Sequence, residues 1–152
     1  MAIHNRYYCS SNGRHETGAE TFQAFFEYSH DSALGIVYRP EFENHLRLHF
    51  QNLVSSEDVA SYALRNAVYA VGCRAAALVD GNRDFNEVQR ISSELFFNAL
   101  SVYTDLIFMP SGLKAVQALI VMVSPSTHLS TTWFWFLNSP RRPLRNYWEV
   151  QR

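Results

Sequence analysis

Glu41, His45 and His49 are spaced four residues apart, so a helix would carry all three on one face. Imidazole and carboxylate groups are metal ligands, and two histidines one helical turn apart can grip one ion. The surrounding residues do not extend that pattern: HExxH is absent, and no third ligand stands out. The competing account is a solvated polar face beside an apolar stripe of Phe42, Leu46 and Phe50, and no metal site is expected. His30–Asp31 could form an acid–base pair, but it sits in a break between helical patterns, where aspartate commonly closes a turn. Cys9 and Cys73 lie far apart and make no CxxC, so they cannot build a zinc cluster or a disulfide framework alone. Cys73 is expected to be a small buried apolar residue. Free thiols would fit an intracellular compartment. Arg65 and Arg74 are expected to reach solvent or pair with acids.

Nucleotide chemistry has no foothold in the motifs. No GxGxxG follows a strand pattern, and neither GxxxxGK[ST] nor GxSxG occurs. Net charge is −1, which provides no bulk attraction to nucleic acid or acidic membrane. The tail is uneven, with Arg141, Arg142, Arg145 and Arg152 against Glu149 after Val123. Pro140-Arg141-Arg142-Pro143-Leu144-Arg145 could touch phosphate, and Trp133, Trp135, Tyr147 and Trp148 could stack on bases. A short basic run with scattered aromatics is also ordinary composition. No catalytic, cofactor-binding or metal residue is therefore assigned.

The elements that would position these groups are helical. A chain of 152 residues, 47% hydrophobic and 18% charged, suits one domain with a sizeable core. It begins without a basic region followed by an apolar run, so no signal peptide is expected. No stretch reaches the ~18–20 apolar residues that span a bilayer.

Residues 1–19 are polar and turn-rich and are expected to form a loose arm. Residues 20–123 carry the helical patterns. Helices are predicted near Glu20–Ser29, Pro40–Leu53, Asp58–Val79, Phe85–Phe108 and Gly112–Val123. Ile36 to Tyr38 should be extended, and Arg39 with them because it precedes Pro40. Ser55 or Ser56 is the expected cap of the third helix, which runs ~33 Å. Its stripe is rich in alanine and includes Gly72, so other helices can approach it closely at the bundle centre. Gly81 is placed to end it in a left-handed conformation. The fourth helix, from Val88 to Leu106, is apolar round much of its circumference and should also be interior. Pro110 breaks the pattern, and Ser111 can cap the last helix. Leu64, Val68, Val71, Leu95, Val102, Leu106, Val116 and Leu119 are the expected core. Residues 124–152 show no sustained period and form an irregular basic and aromatic tail. The fold class is thus all-α, an irregular helical bundle.

Several segments, in order, carry a resemblance. They are Phe25 to His30, Val37 to Phe42, Leu64 to Arg74, the helix over Phe97–Leu106, and Pro110 to Leu119. The most telling are Tyr38-Arg39-Pro40-Glu41-Phe42 and Ser111-Gly112-Leu113-Lys114-Ala115-Val116-Gln117-Ala118-Leu119. Together, from about Thr21 to Val123, they resemble the fungal-specific transcription factor domain. This is the helical regulatory region of binuclear zinc cluster transcription factors. The resemblance implies an all-helical fold, a nuclear protein, and transcription regulation through intramolecular, dimer or co-regulator contacts without enzymatic activity. It implies zinc and DNA-binding only in a six-cysteine cluster, which this chain lacks. Ala33–Leu34 stands where the family usually has a proline. The likeness covers the N-terminal part of the family domain and stops at Val123. The chain is accordingly expected to be a fragment or truncated gene product, with a tail like translated non-coding sequence. The alternative from another class is a small helical enzyme or ligand-binding bundle using the Glu41/His45/His49 face.

DNA binding gives the first test. Residues 1–123 carry nine cations against thirteen anions, and sequence readout needs a rigid element holding side chains against base edges. A mobility-shift assay at physiological salt should show no preference for one duplex over a scrambled competitor. Any retention should be weak and abolished by added salt as counterions compete.

Overall fold

The computed structural model describes residues 18–51, 58–81, 83–108 and 112–124. All regular structure among them is α-helical. The elements are α1 (Gly18–Tyr28), α2 (His30–Ala33), α3 (Arg39–Phe50), α4 (Val59–Val79), α5 (Phe85–Ser101), α6 (Tyr103–Phe108) and α7 (Gly112–Val123). No described helix is long and apolar enough to cross a membrane. The expected loose arm, the Ser55/Ser56 and Ser111 caps, the Pro110 break and the basic aromatic tail fall outside the described residues.

α4 is the axis of the bundle. Ala60, Ala63, Ala67, Ala70, Gly72, Cys73 and Ala75 are all buried on it, together with Leu64, Val68 and Val71. Short side chains leave room for neighbours to come close, and α1, α5 and α7 all pack against α4. At Gly72 the backbone of α1 takes that room. A Cβ there would collide with the Thr21 carbonyl oxygen and lie 3.3 Å from Phe25 Cβ. On another side, the buried Ser92 hydroxyl of α5 donates to the Ala70 carbonyl at 2.9 Å. Such a bond needs two helix backbones within one short side chain of each other.

α5 is less central than its composition suggests. It buries Val88, Ile91, Ser92, Leu95, Phe96 and Ala99 against α4, while Phe85 and Phe97 remain exposed. Its outer face carries Arg90 paired with Glu87 at 2.7 Å and Glu94 at 2.5 Å. The helix predicted to run unbroken to Phe108 ends at Ser101. Val102 leaves helical geometry (φ −107°, ψ 11°), and its N–H turns to the Ala99 and Leu100 carbonyls. Val102, Tyr103 and Thr104 are β-branched or aromatic residues of low helix propensity, so the chain bends there at little cost. α6 then returns Leu106 to the core, while Tyr103 and Ile107 stay exposed.

The expected core needs one further change. Leu64, Val68, Val71, Leu95 and Leu106 are buried, and Val102 and Leu119 are partly so. Val116 is 52% exposed. α7 buries its smaller side, Ala115 and Ala118 with Val121 and Met122, because the small residues allow close approach to α4.

Other differences are local. α2 was read only as a break; Ser29 caps it by accepting from Ser32 N–H at 3.2 Å. Gly35 reverses the chain after it at φ 64°, a conformation that costs residues with a Cβ more. Arg39 is the first residue of α3 rather than extended. Its guanidinium bonds Glu43 one turn on at 2.7 Å and sits 5.5 Å over the Phe26 ring. α4 is capped by Asp58. Gly81 does not adopt a positive φ, and α4 closes instead on Asp80, whose N–H donates to the Ala76 carbonyl. Phe50 is exposed, so the α3 stripe contributes Phe42 and Leu46 alone.

Gly72→Ala tests the central contact. Alanine favours a helix interior by about 1 kcal/mol over glycine, but here its methyl meets backbone that cannot rotate away. The expected outcome in chemical denaturation is a net loss of about 1–3 kcal/mol. Gly81→Ala, where a Cβ meets nothing within 4 Å, should show no such loss.

Candidate functional site

The most concentrated polar chemistry in the described structure lies where α3 and α7 meet the start of α4. Asp58 caps α4: Oδ1 accepts from Ser61 N–H at 2.8 Å, and Oδ2 accepts from the Ser61 hydroxyl at 2.7 Å. His45 of α3 brings Nε2 to 3.1 Å from the same hydroxyl oxygen. Lys114 of α7 donates to it from Nζ at 3.2 Å. Ser61 is buried, so residues 45, 58, 61 and 114 meet around one hydroxyl.

A hydroxyl has one hydrogen and two lone pairs. The short bond to a carboxylate claims the hydrogen. Lys114 can only donate, so it takes one lone pair. His45 must then donate from Nε2–H to the other. The imidazole therefore faces Ser61 as a donor, whereas a base that activates a serine must accept its proton. The only acceptor is Asp58, a weak base already committed to the helix N-terminus. This arrangement can join three helices and fix the imidazole tautomer, but it is poorly built for nucleophilic attack.

The notch beside it is also small. Glu41, His45, Ser61, Arg65, Lys114 and Gln117 line it along with apolar neighbours, and its volume is about 20 Å³. That admits roughly one water molecule. Gln117 closes one side by donating to the Ile36 carbonyl at 2.8 Å.

The Glu41/His45/His49 face is split by this geometry. Glu41 and His45 line the notch, while the His49 ring packs edge-on to Phe50 at 5.5 Å. Among the described residues, no three His, Cys, Asp or Glu side chains gather closely enough to hold a metal. His30 and Asp31 also part company: His30 is exposed, and Asp31 is buried and accepts from the Ser124 hydroxyl. Arg65, expected to reach solvent or pair with acids, is buried, with its guanidinium 5.7 Å over the Tyr62 ring. Its long stem finds apolar cover along α4. Arg74 is half-buried, and loss of water around it lowers its pKa. Cys73 is fully buried as expected, but it is disulfide-bonded rather than a free thiol. The compartment argument from free thiols therefore falls away.

No protein-family model, curated protein or solved structure matches this chain.

Ser61 and Lys114 were missed by sequence reasoning. Neither stands in a pattern that points to chemistry, although Lys114 lies within the Ser111 to Leu119 segment, and 53 residues separate them. The one available signal was Asp58 three residues before Ser61, the spacing of an N-cap bond.

Burial raises the Asp58 pKa, but the Ser61 N–H and hydroxyl, then Lys114 and His45, outweigh it and hold the carboxyl below its ordinary 3.8. A carboxylate with a depressed folded pKa stabilises the fold above its unfolded value and loses that contribution as pH falls through the folded one. Stability should therefore decline on acidification below 3.8, and Asp58→Asn should flatten that part of the profile. At neutral pH, Asp58→Ala should cost about 0.5–2 kcal/mol, the usual range for a lost N-cap. Thermal unfolding followed across pH checks both.

Proposed function

We propose that this chain is a helical interaction domain that works in transcription regulation by being bound, without chemistry of its own. The observation that carries this reading is the outer face of α7. Leu113, Val116, Ile120 and Val123 are exposed by 70, 52, 42 and 78%, on a helix whose other side is packed into the core. An apolar strip of this kind commonly marks a surface that meets another protein. The ordered segments Tyr38 to Phe42 and Ser111 to Leu119 support the regulatory role through their resemblance to the fungal transcription factor domain. Zinc and base readout would belong to a separate DNA-binding part, and nuclear localisation goes with this role. A homodimer or a co-regulator protein is the class of partner such a face fits.

The enzymatic alternative starts from His45 against Ser61. It is disfavoured by the direction of that hydrogen bond and by a notch the size of one water.

A fungal reporter tests the regulatory reading. The full chain, fused to an unrelated DNA-binding domain, should change transcription from a promoter carrying that domain's site. Val116→Glu with Ile120→Glu should alter the effect at equal expression, because both side chains are exposed and the fold should tolerate them. A reporter that stays at baseline for both fusions would count against regulation.

A further inference from the structure

The apolar face of α7 borders a shallow depression of about 500 Å³, lined by Leu34, Val116, Leu119, Ile120, Val123 and Ser124. Its walls come from two places in the chain, the turn after α2 and the end of α7. They are held together because the buried Ser124 hydroxyl donates to the buried Asp31 carboxylate. That bond also fixes where the chain leaves the bundle, at the rim of the depression. Residues 125–152 continue from this point, and Trp133-Phe134-Trp135-Phe136-Leu137 is an unbroken apolar run within them.

We infer that Trp133 to Leu137 folds back onto the α7 face and covers it within the same chain. Residues 125–132 form the tether. At ~3.3 Å per residue they reach roughly 26 Å, and a twelve-residue helix such as α7 is only ~18 Å long, so the run can lie anywhere along it. A tether this short holds the segment at an effective concentration on the order of millimolar, above what a separate partner supplies. Aromatic side chains bury about 150–250 Å² each, enough for a few to cover the strip. The remaining tail, with Arg141, Arg142 and Arg145, would then run off the covered face into solvent. The inference deepens the interaction reading and rests on it for its consequence: a partner using this face must displace the run, so the tail acts as a built-in competitor. The contact itself stands or falls separately.

The chain carries its own probe. Its three tryptophans are Trp133, Trp135 and Trp148, so selectively excited indole emission reports on the tail alone. In the full chain, emission should be blue-shifted and protected from acrylamide, and Trp148→Phe should retain both properties. Val116→Glu with Ile120→Glu should move emission to the solvent-exposed position and remove the protection, with helical circular dichroism unchanged. Leu34→Glu, on the opposite wall, should do the same. Solvent-like emission in the unaltered chain would overturn the inference, as would a blue shift indifferent to all these substitutions. A blue shift that disappears on dilution would also overturn it, assigning the face to a second copy of the chain. Solvent-like emission with an active reporter rejects the cover alone. Blue-shifted emission with an inactive reporter that neither substitution changes rejects the regulatory reading alone.

Discussion

The approach of α1 to Gly72 sets the dimensions of the bundle. The Thr21 carbonyl occupies the space that any Cβ at position 72 would need, so α1 rests on α4 backbone rather than side chains. The same economy of side chains runs round α4. Ala70 lets the Ser92 hydroxyl of α5 reach a main-chain carbonyl, and the small side of α7 faces inward. Interiors packed this tightly derive cohesion from many short van der Waals contacts. They also leave little empty space between α4 and the helices packed on it.

Polar bonds between residues distant in sequence hold the shorter elements to this axis. Around Ser61, a helix cap, an imidazole from α3 and an ammonium from α7 share one hydroxyl. Gln117 ties α7 to the segment before α3, and Ser124 ties the end of α7 to α2. The Phe22, Phe25, Phe26 and Phe42 rings, with neighbouring centroids 5.0–6.5 Å apart, add apolar contact between α1 and α3. Burial strengthens each polar bond electrostatically and makes each partner costly to lose. Polar side chains thereby join the helices to one another.

α7 shows how packing and surface properties are linked. Close contact with α4 selects its small residues for the interior, which turns Leu113, Val116 and Ile120 outward. The apolar strip follows from the same spacing that makes the core dense. An exposed face of this composition favours any occupant that removes it from water. For that reason the interaction reading rests on α7 and not on the compact polar node at Ser61.

The sequence by itself determined the helical class, the positions of the longer helices and the central place of α4. Periodicity, Pro40, and the density of alanine with Gly72 are local signals, and they survive folding because helix geometry is local. It could not decide which faces of α5 and α7 are buried. α5 and α7 have enough hydrophobic residues to be buried on several faces, and only the position of α4 decided which face was used. Hence Val116 and Phe97 point outward. Tertiary structure alone also decided the fate of the candidate chemistry. Glu41, His45 and His49 share a helix as their spacing required. Yet His45 meets the Ser61 hydroxyl of a second helix, and Lys114 comes from a third. Spacing places residues on a face; what that face meets depends on contacts made tens of residues away, and these fixed the proton on His45 and left α7 as the open surface.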